Sequence, residues 1–349
     1  MKKLFLTLAV VAFILSACNE SSVNVESNEQ SVESASEESV TPSEDSSAFS
    51  ESSEESVVAS SEDSDVVSEE ESTAEVPALS LNEITAQIAA IKDGGFNTNI
   101  NGASEKLAAL QAYLEKGGYG YFYCDLEYNG YVSYGCNKDF KTASTAKLPY
   151  IKYLCTLADE GKLDLNSTMV YEERHKTVGS GVMKNMSVGT TFSVATLMDY
   201  VLRYSDNIAY SMLMERFGLK DYLANVAALG VDYHTVNGYT NCTAAEMAAL
   251  LYDVALYNGE GLSLIKTAGC NASYNYQIGA ELSEYEVVQK YGAIKPGNVA
   301  YHDIAVVYAP HPYILVIYTT IDYDSAGKNI PFRTIARLTN DLNIALYGE

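Results

Sequence analysis

One short segment of this sequence has the residue types and spacing that serine-based acyl transfer needs. In Ser144-Thr-Ala-Lys147, a serine and a lysine three positions apart stand where a loop enters a helix. On a helix the two side chains share a face, and the helix start favours an anion. Lys147, removed from water, is suited to accept the proton of Ser144. The pattern predicts an activated serine, although a capping serine before an exposed lysine is a common alternative.

A second polar group, Ser205-Asp206-Asn207, lies between two apolar helices. In the functional interpretation, Ser205 relays a proton from a lysine to the leaving nitrogen and Asn207 donates its amide to a substrate carbonyl. Asp206 is then structural. The alternative is that these three residue types simply cap a helix at the junction.

The third group is Lys290-Tyr291-Gly292-Ala293, in a segment typical of a strand, and Asp303–Tyr308 follows as the next predicted strand. A strand lysine is usually a surface charge. Lys290 is a candidate site residue only because it follows the first two groups in the chain and precedes a predicted strand. Lys295-Pro296-Gly297 competes for the same role. We favour Lys290, because Pro296 cannot donate to a sheet ladder.

In this order the three groups resemble class A β-lactamases and penicillin-binding-protein-type active-site serine hydrolases, over roughly residues 81–349. The resemblance implies acylation of the serine by a β-lactam or a D-alanyl peptide. It assigns catalytic roles to Ser144 (nucleophile), Lys147 (base), Ser205 (proton shuttle) and Lys290 (electrostatic anchor), and substrate-binding roles to Asn207, Gly292 and Ala293. The backbone amides of Ser144 and Ala293 would form the oxyanion hole.

The sequence departs from that family in two places. The loop Gly230–Cys242 is short and lacks the glutamate that activates the deacylating water, so we expect slow deacylation. Within this loop, Asp232 or His234 could activate the water in place of that glutamate. Glu246, inside the following helix, is expected to miss the cleft. Tyr291 stands where a small hydroxyl residue usually binds a substrate carboxylate, so carboxylate selection is expected to differ.

Periodicity predicts a mixed α+β architecture. Helical patterns cover about 81–91, 104–114, 192–204, 207–217, 223–229, 244–257 and 332–346, with a further helix starting at 144; strand patterns cover 119–126, 131–134, 285–293, 304–308 and 313–320. We expect a mostly antiparallel five-stranded sheet flanked by helices, beside an all-helical lobe. A cleft between the lobes is the expected active site.

The N-terminal part predicts export and anchoring. Residues 1–18 have a basic start, a short apolar run and the ending Leu15-Ser-Ala-Cys18, which resembles a lipobox, so we expect Cys18 to be lipidated. Residues 19–77 are rich in Ser, Glu and Asp and predict a disordered acidic tether, leaving 78–349 as the hydrolase domain. The expected location is extracytoplasmic, on the cell membrane, and the expected state is a monomer. A basic stripe for nucleic acid is missing.

Five cysteines follow Cys18 without the spacing of a zinc site, so no metal and no cofactor is predicted. Cys124 and Cys136 flank a predicted hairpin and are candidates to pair, whereas Cys155 is expected to be buried in a helix.

Two other functions compete with a hydrolase. One is a peptidoglycan-binding or β-lactam-sensing lipoprotein that keeps the fold without turnover. The other, a Ser-His-Asp hydrolase, is disfavoured because the chain has no G-x-S-x-G elbow.

Overall fold

The computed structural model of the protein describes residues 79–294 and 299–348. The predicted signal segment with Cys18, the acidic segment 19–77 and the alternative lysine Lys295 lie outside these ranges. Across the ranges that are described, no helix is both long enough and apolar enough to cross a membrane.

Ten helices lie in the described ranges. They are α1 Leu81–Ala89, α2 Ser104–Leu114, α3 Lys147–Asp159, α4 Val194–Arg203, α5 Asn207–Phe217, α6 Lys220–Ala228, α7 Ala244–Ala255, α8 Leu262–Cys270, α9 Ile278–Glu281 and α10 Ile330–Tyr347. Short 3₁₀ turns lie at Ala143–Ala146, Glu173–His175 and Met183–Asn185. All the predicted helices are present, and α8 and α9 are additional to them.

Strands form one large sheet and two small ones. They are β1 Asn97–Thr98, β2 Gly120–Asp125, β3 Tyr131–Tyr134, β4 Phe140–Lys141, β5 Thr168–Val170, β6 Thr191–Ser193, β7 His234–Val236, β8 Tyr239–Cys242, β9 Glu286–Ile294, β10 Ala300–Tyr308 and β11 Tyr313–Thr319. The large sheet has the order β1-β3-β2-β11-β10-β9 and is antiparallel throughout. The five predicted strands are therefore confirmed, and the two-residue β1 makes a sixth.

The two faces of the large sheet enter different apolar clusters. Residues such as Phe122 and Val316 pack with the helices of the middle of the chain. Their neighbours Tyr121 and Leu315 point the other way and pack with Phe332 of α10. Because both faces are covered, β11 is buried at every position, which explains its continuous apolar sequence.

The segment Gly230–Cys242, expected as a loop, contains a β-hairpin instead. Its strands β7 and β8 pair with each other, and β8 pairs with β4 through Phe140 and Lys141. Asn237 and Gly238 at the turn both have positive φ, as the tight hairpin turn of an Asn-Gly pair requires. Consequently the middle of the chain is not purely helical, and the strand that precedes Ser144 is held by this hairpin.

Cys124 and Cys136, the candidates for a disulfide, do not pair: both thiols are free and buried. The register explains this: Tyr131 lies opposite Cys124, and Tyr134, two residues before Cys136, lies opposite Tyr121. Several residues of strand therefore separate the two cysteines, more than a disulfide can span. Cys155 is buried in α3 as expected.

Asp303 on β10 fastens the short helix α9 to the sheet. Its Oδ2 accepts the backbone N–H of Ile278 at 3.1 Å, and its carboxyl is buried. Burial raises the pKa of Asp303 from its ordinary 3.8 to about 7, against the opposing effects of that hydrogen bond and of Lys290. The folded protein therefore keeps a proton at Asp303 that the unfolded chain loses from about pH 4 upward.

Because the folded state holds this proton and the unfolded state does not, the free energy of unfolding falls as the pH rises from about 4 to 7. We expect the stability of Asp303→Asn relative to wild type to increase across this window by a few kcal/mol, on the order of 1.4 kcal/mol per pKa unit. Urea unfolding at a series of pH values measures the difference. Asp322→Asn, which removes an exposed carboxylate, is the control. A difference between wild type and Asp303→Asn that stays constant from pH 4 to 8 would contradict the prediction.

Candidate active site

Ser144 lies in the 3₁₀ turn that joins β4 to α3, with only 1% of its surface exposed. Ala143 before it has a φ of 47°, in the left-handed region that non-glycine residues rarely adopt. Helix α3 begins at Lys147, so Ser144 stands at the amino-terminal approach to a thirteen-residue helix. This is the position in which helix amides favour a developing negative charge.

Lys147 is fully buried and is surrounded by acceptors from one neighbouring segment. Its Nζ donates to the backbone oxygen of Ser205 at 2.6 Å and to Asn207 Oδ1 at 2.6 Å, and it lies 3.3 Å from Ser205 Oγ. A buried ammonium group is tolerated only with such partners. The first and second predicted groups therefore meet in the structure.

The junction between α4 and α5 presents these acceptors. Ser205 has a φ of 53°, which turns the chain sharply, and Asp206 caps α5 by accepting from the N–H groups of Ile208 and Ala209 at 2.9 and 3.0 Å. Asp206 Oδ2 also accepts from the N–H of Met183 at 2.8 Å. Asp206 is thus structural, as expected, and it fixes the two residues on either side of it.

Asn207 is held from its other side by the segment before Met183. Its Nδ2 donates to the Val178 carbonyl at 2.9 Å, and its backbone N–H donates to Ser180 at 3.0 Å. Gly181, with a φ of 126°, lies so close to Asp206 that a Cβ would overlap the carboxylate. The sequence interpretation missed this support, for which Gly179-Ser-Gly181 was the available signal.

Lys290 reaches the same serine from the sheet. Its Nζ donates to Ser205 Oγ at 3.0 Å and to the carbonyl of Tyr291 at 2.8 Å, and the side chain is buried. Two lysines from different lobes therefore meet at one hydroxyl, with Ser205 between them. This convergence is the arrangement that a proton shuttle requires.

Strand β9 passes directly beside the nucleophile. A Cβ on Gly292 would lie 3.0 Å from the backbone nitrogens of both Ser144 and Thr145, so a side chain here would require the backbone to shift by a few tenths of an ångström. β9 is an edge of the sheet, and the Tyr291 carbonyl points away from β10 to meet Lys290. Backbone groups alternate along a strand, so the N–H of Ala293 faces the same side. The N–H of Ala293 therefore lies on the open edge of β9, the side on which an oxyanion-hole donor would have to lie.

Tyr291 does not enter the cleft as a substrate ligand. Its ring is buried on the opposite face of β9, with its centroid 4.4 Å from that of Tyr274, and Lys290 Nζ lies 4.8 Å from the ring. The phenol ring therefore packs in the apolar cluster beneath the sheet, and its effect on carboxylate selection stays a prediction.

Of the residues considered as water activators, His234 and Glu246 are engaged by other side chains. Both ring nitrogens of His234 have acceptors, the Asp232 carbonyl at 3.0 Å and Asp139 Oδ2 at 2.9 Å. The hydrogen bond to the Asp232 carbonyl is the main cause of the raised pKa of His234. Each ring nitrogen thus already has a protein partner, which leaves neither one turned toward a water molecule. Asp232 is exposed. Glu246 caps α7 and pairs with Lys92 at 2.6 Å, so it misses the cleft as expected.

The described ranges also hold no group of three or more His, Cys, Asp or Glu side chains placed to bind a metal ion. The site consists instead of a serine, two lysines, a second serine and an asparagine at the start of a helix and the edge of a sheet. This fold and this site define an active-site-serine enzyme.

Comparison with known proteins identifies the family. The family described as "Beta-lactamase enzyme family" matches residues 102–343. The chain belongs to this family and is a serine hydrolase of the β-lactamase type. No curated protein is significantly similar to the chain.

Solved structures share the fold. A PBP-A mutant in an acyl-enzyme complex with penicillin G has 16% identity and a TM-score of 0.60, with 68% of this chain and 96% of that chain covered. A β-lactamase from Sphaerobacter thermophilus has 18% identity and a TM-score of 0.60, with 70% and 99% covered. An ancestral class A β-lactamase has 22% identity and a TM-score of 0.59, with 68% and 98% covered. At these identities the similarity concerns the fold.

Because β9 approaches so closely, Gly292→Ala is expected to push the strand away from the Ser144 amide. We expect acylation of Ser144 to slow by at least about tenfold and the free energy of unfolding to fall by about 1–3 kcal/mol. Labelling with a fluorescent penicillin and urea unfolding measure the two effects. Gly118→Ala is the matched control, because its Cβ would meet nothing closer than Thr320 Oγ1 at 3.6 Å. Labelling at the wild-type rate would contradict the expectation.

Proposed function

We propose that Ser144 forms an acyl-enzyme with a β-lactam or a D-alanyl peptide, and that this acyl-enzyme is hydrolysed slowly. The observation that carries the proposal is the hydrogen bonding of Lys147 and Lys290 to Ser205 beside the helix start that holds Ser144. The family membership gives the reaction class, and the geometry supports a role for each side chain.

In the proposed acylation, Lys147 takes the proton of Ser144. In the neutral state that this step requires, the two N–H groups of Lys147 would stay with the acceptors at 2.6 Å, the Ser205 carbonyl and Asn207 Oδ1. The contact with Ser205 Oγ, at 3.3 Å, would then receive no N–H from Lys147, and the lone pair would take the proton. The Ser144 oxygen then attacks the substrate carbonyl. The charge that develops on the carbonyl oxygen is stabilised by the amides of Ser144 and Ala293.

Collapse of the tetrahedral intermediate breaks the carbon–nitrogen bond. In the proposal Ser205 Oγ delivers a proton to the departing nitrogen and regains one from Lys147. The positive charge of Lys290, 3.0 Å away, makes it easier for the Ser205 hydroxyl to give up its proton. The acyl group remains on Ser144. Asn207 would hold the substrate amide with its side chain.

Slow hydrolysis is the second half of the proposal. It is supported by the engagement of His234 with Asp139 and of Glu246 with Lys92, because neither side chain is then available to activate water. A long-lived acyl-enzyme suits a cell-wall peptidase or a β-lactam sensor better than a rapid β-lactamase.

Intact-protein mass spectrometry after incubation with a fluorescent penicillin tests both halves. We expect wild type to gain one penicillin mass that persists for minutes or longer, and Ser144→Ala to gain none. Ser211→Ala, which removes a buried serine from α5, is the control and should be labelled like wild type.

Two outcomes would contradict the proposal. An unlabelled wild type would exclude acylation, and equal binding of peptidoglycan fragments by wild type and Ser144→Ala would then favour the wall-binding alternative. Rapid loss of the adduct with release of penicilloate would exclude slow hydrolysis and identify a working β-lactamase.

We further propose that the chain is exported and anchored to the cell membrane through a lipid on Cys18. The basic start, short apolar run and Leu15-Ser-Ala-Cys18 ending support this, and the Ser- and Glu-rich residues that follow suit an extended tether.

Replacement of Cys18 is expected to release the protein from the membrane. Metabolic labelling with a clickable fatty acid should mark wild type in the membrane fraction, while Cys18→Ala should be unlabelled and lose most of its membrane association. Cys270→Ala, which alters a partly exposed cysteine of the folded part, should behave as wild type. Fatty-acid label retained on Cys18→Ala would refute the assignment.

A further inference from the structure

His302 is a buried histidine that lies behind the nucleophile turn and that the proposed reaction does not use. It belongs to β10, is 0% exposed and stands opposite Gly292 of β9 in the strand register. Its ring stacks on Tyr318 with centroids 4.3 Å apart and meets the edge of Phe140 at 5.8 Å. The ring therefore lies between the sheet and the strand that leads to Ser144.

Two backbone partners fix the state of this ring. Nε2 lies 2.9 Å from the carbonyl of Lys141, which can only accept, so Nε2 carries the proton. Nδ1 accepts the backbone N–H of Thr319 at 3.0 Å, so it carries none. Burial lowers the pKa of His302 to about 4 and raises that of Tyr318 well above its ordinary value, so both side chains are neutral near pH 7.

The Lys141 carbonyl is three residues before Ser144, and the chain between them is anchored at several points. Thr142 donates its N–H to the Thr240 carbonyl at 2.9 Å, and Thr145 Oγ1 and Tyr318 OH are 2.9 Å apart. Between these anchors lies Ala143 with its left-handed φ, which would relax if an anchor were lost. Its ψ sets the direction of the Ser144 amide.

We propose that His302 is a positioning residue that holds the two oxyanion-hole amides at their working separation. Through Lys141 it fixes the segment that carries the Ser144 amide. Through its own strand it fixes Gly292, the neighbour of Ala293. One neutral ring thus connects both halves of the hole.

This inference rests on the proposed acylation of Ser144. An oxyanion hole acts on charge that develops during the reaction, so a change in amide separation slows acylation more than it weakens substrate binding. A purely structural role would lower stability without changing the rate of acylation of the folded protein.

Two amide variants separate the two hydrogen bonds. His302→Gln places a donor near Nε2 and keeps the link to Lys141, whereas His302→Asn places an acceptor near Nδ1 and keeps only the link to Thr319. Acylation by a fluorescent penicillin, followed against concentration, gives the rate constant and the dissociation constant separately. We expect His302→Asn to lower the rate constant by about 10- to 100-fold with dissociation changed less than about threefold, and His302→Gln to stay within about threefold of wild type.

Tyr121→Phe is the stability control, because it removes a buried hydrogen bond to Thr339, 3.0 Å long, on the opposite face of the sheet. It should lower the melting temperature and leave acylation unchanged. Wild-type rates in both His302 variants, or equal losses in both, would overturn the inference while leaving the proposed function intact. A wild type that is never acylated would instead refute the proposed function, and the inference with it.

The tautomer of His302 can be measured in the wild-type protein, which avoids any failure of the variants to fold. Nitrogen-15 spectra of the four histidines, assigned with His302→Gln, should show His302 with its proton on Nε2 and no titration between about pH 5 and 8. A proton on Nδ1 would remove the donor to Lys141 and overturn the inference.

Discussion

The hydroxyl of Ser205 is the point on which the site depends, because two buried lysines from different lobes both donate to it. Burying two ammonium groups side by side is costly unless acceptors surround them. The helical lobe supplies these acceptors through Ser205 and Asn207, whose positions follow from the cap that Asp206 places on α5. The sheet supplies Lys290 from its edge strand. Lys147 from the helical lobe and Lys290 from the sheet therefore meet at acceptors that the junction between α4 and α5 supplies.

Much of this could be predicted from the sequence because the signals are local. Ser144 with Lys147, the Ser-Asp-Asn tripeptide and the apolar runs of β10 and β11 are each contained in a few residues, and all five long strands were predicted. The hairpin β7–β8 was missed because its residues are mostly polar and show no clear alternation. The role of His302 was missed because its partner Lys141 lies 161 residues away in the chain. Hydrogen bonds across such distances have no sequence pattern.

The hairpin β7–β8 supports the turn that carries Ser144. Its strand β8 pairs with β4 and accepts the Thr142 N–H, so the residues before Ser144 are held by a sheet. The same hairpin carries His234, which is fastened to Asp139 at the surface. The segment therefore supports the nucleophile turn and at the same time keeps His234 engaged with Asp139.

The cysteines have a consequence for the conditions under which this domain can fold. All five in the described ranges are free, and four are buried. Burial raises the pKa of the Cys124 and Cys242 thiols, which keeps them protonated and unreactive toward oxidants. The described fold consequently gains no stability from cross-links. Packing, hydrogen bonds and ion pairs such as Lys92–Glu246 stabilise it, so this part of the chain needs no oxidant to reach its fold.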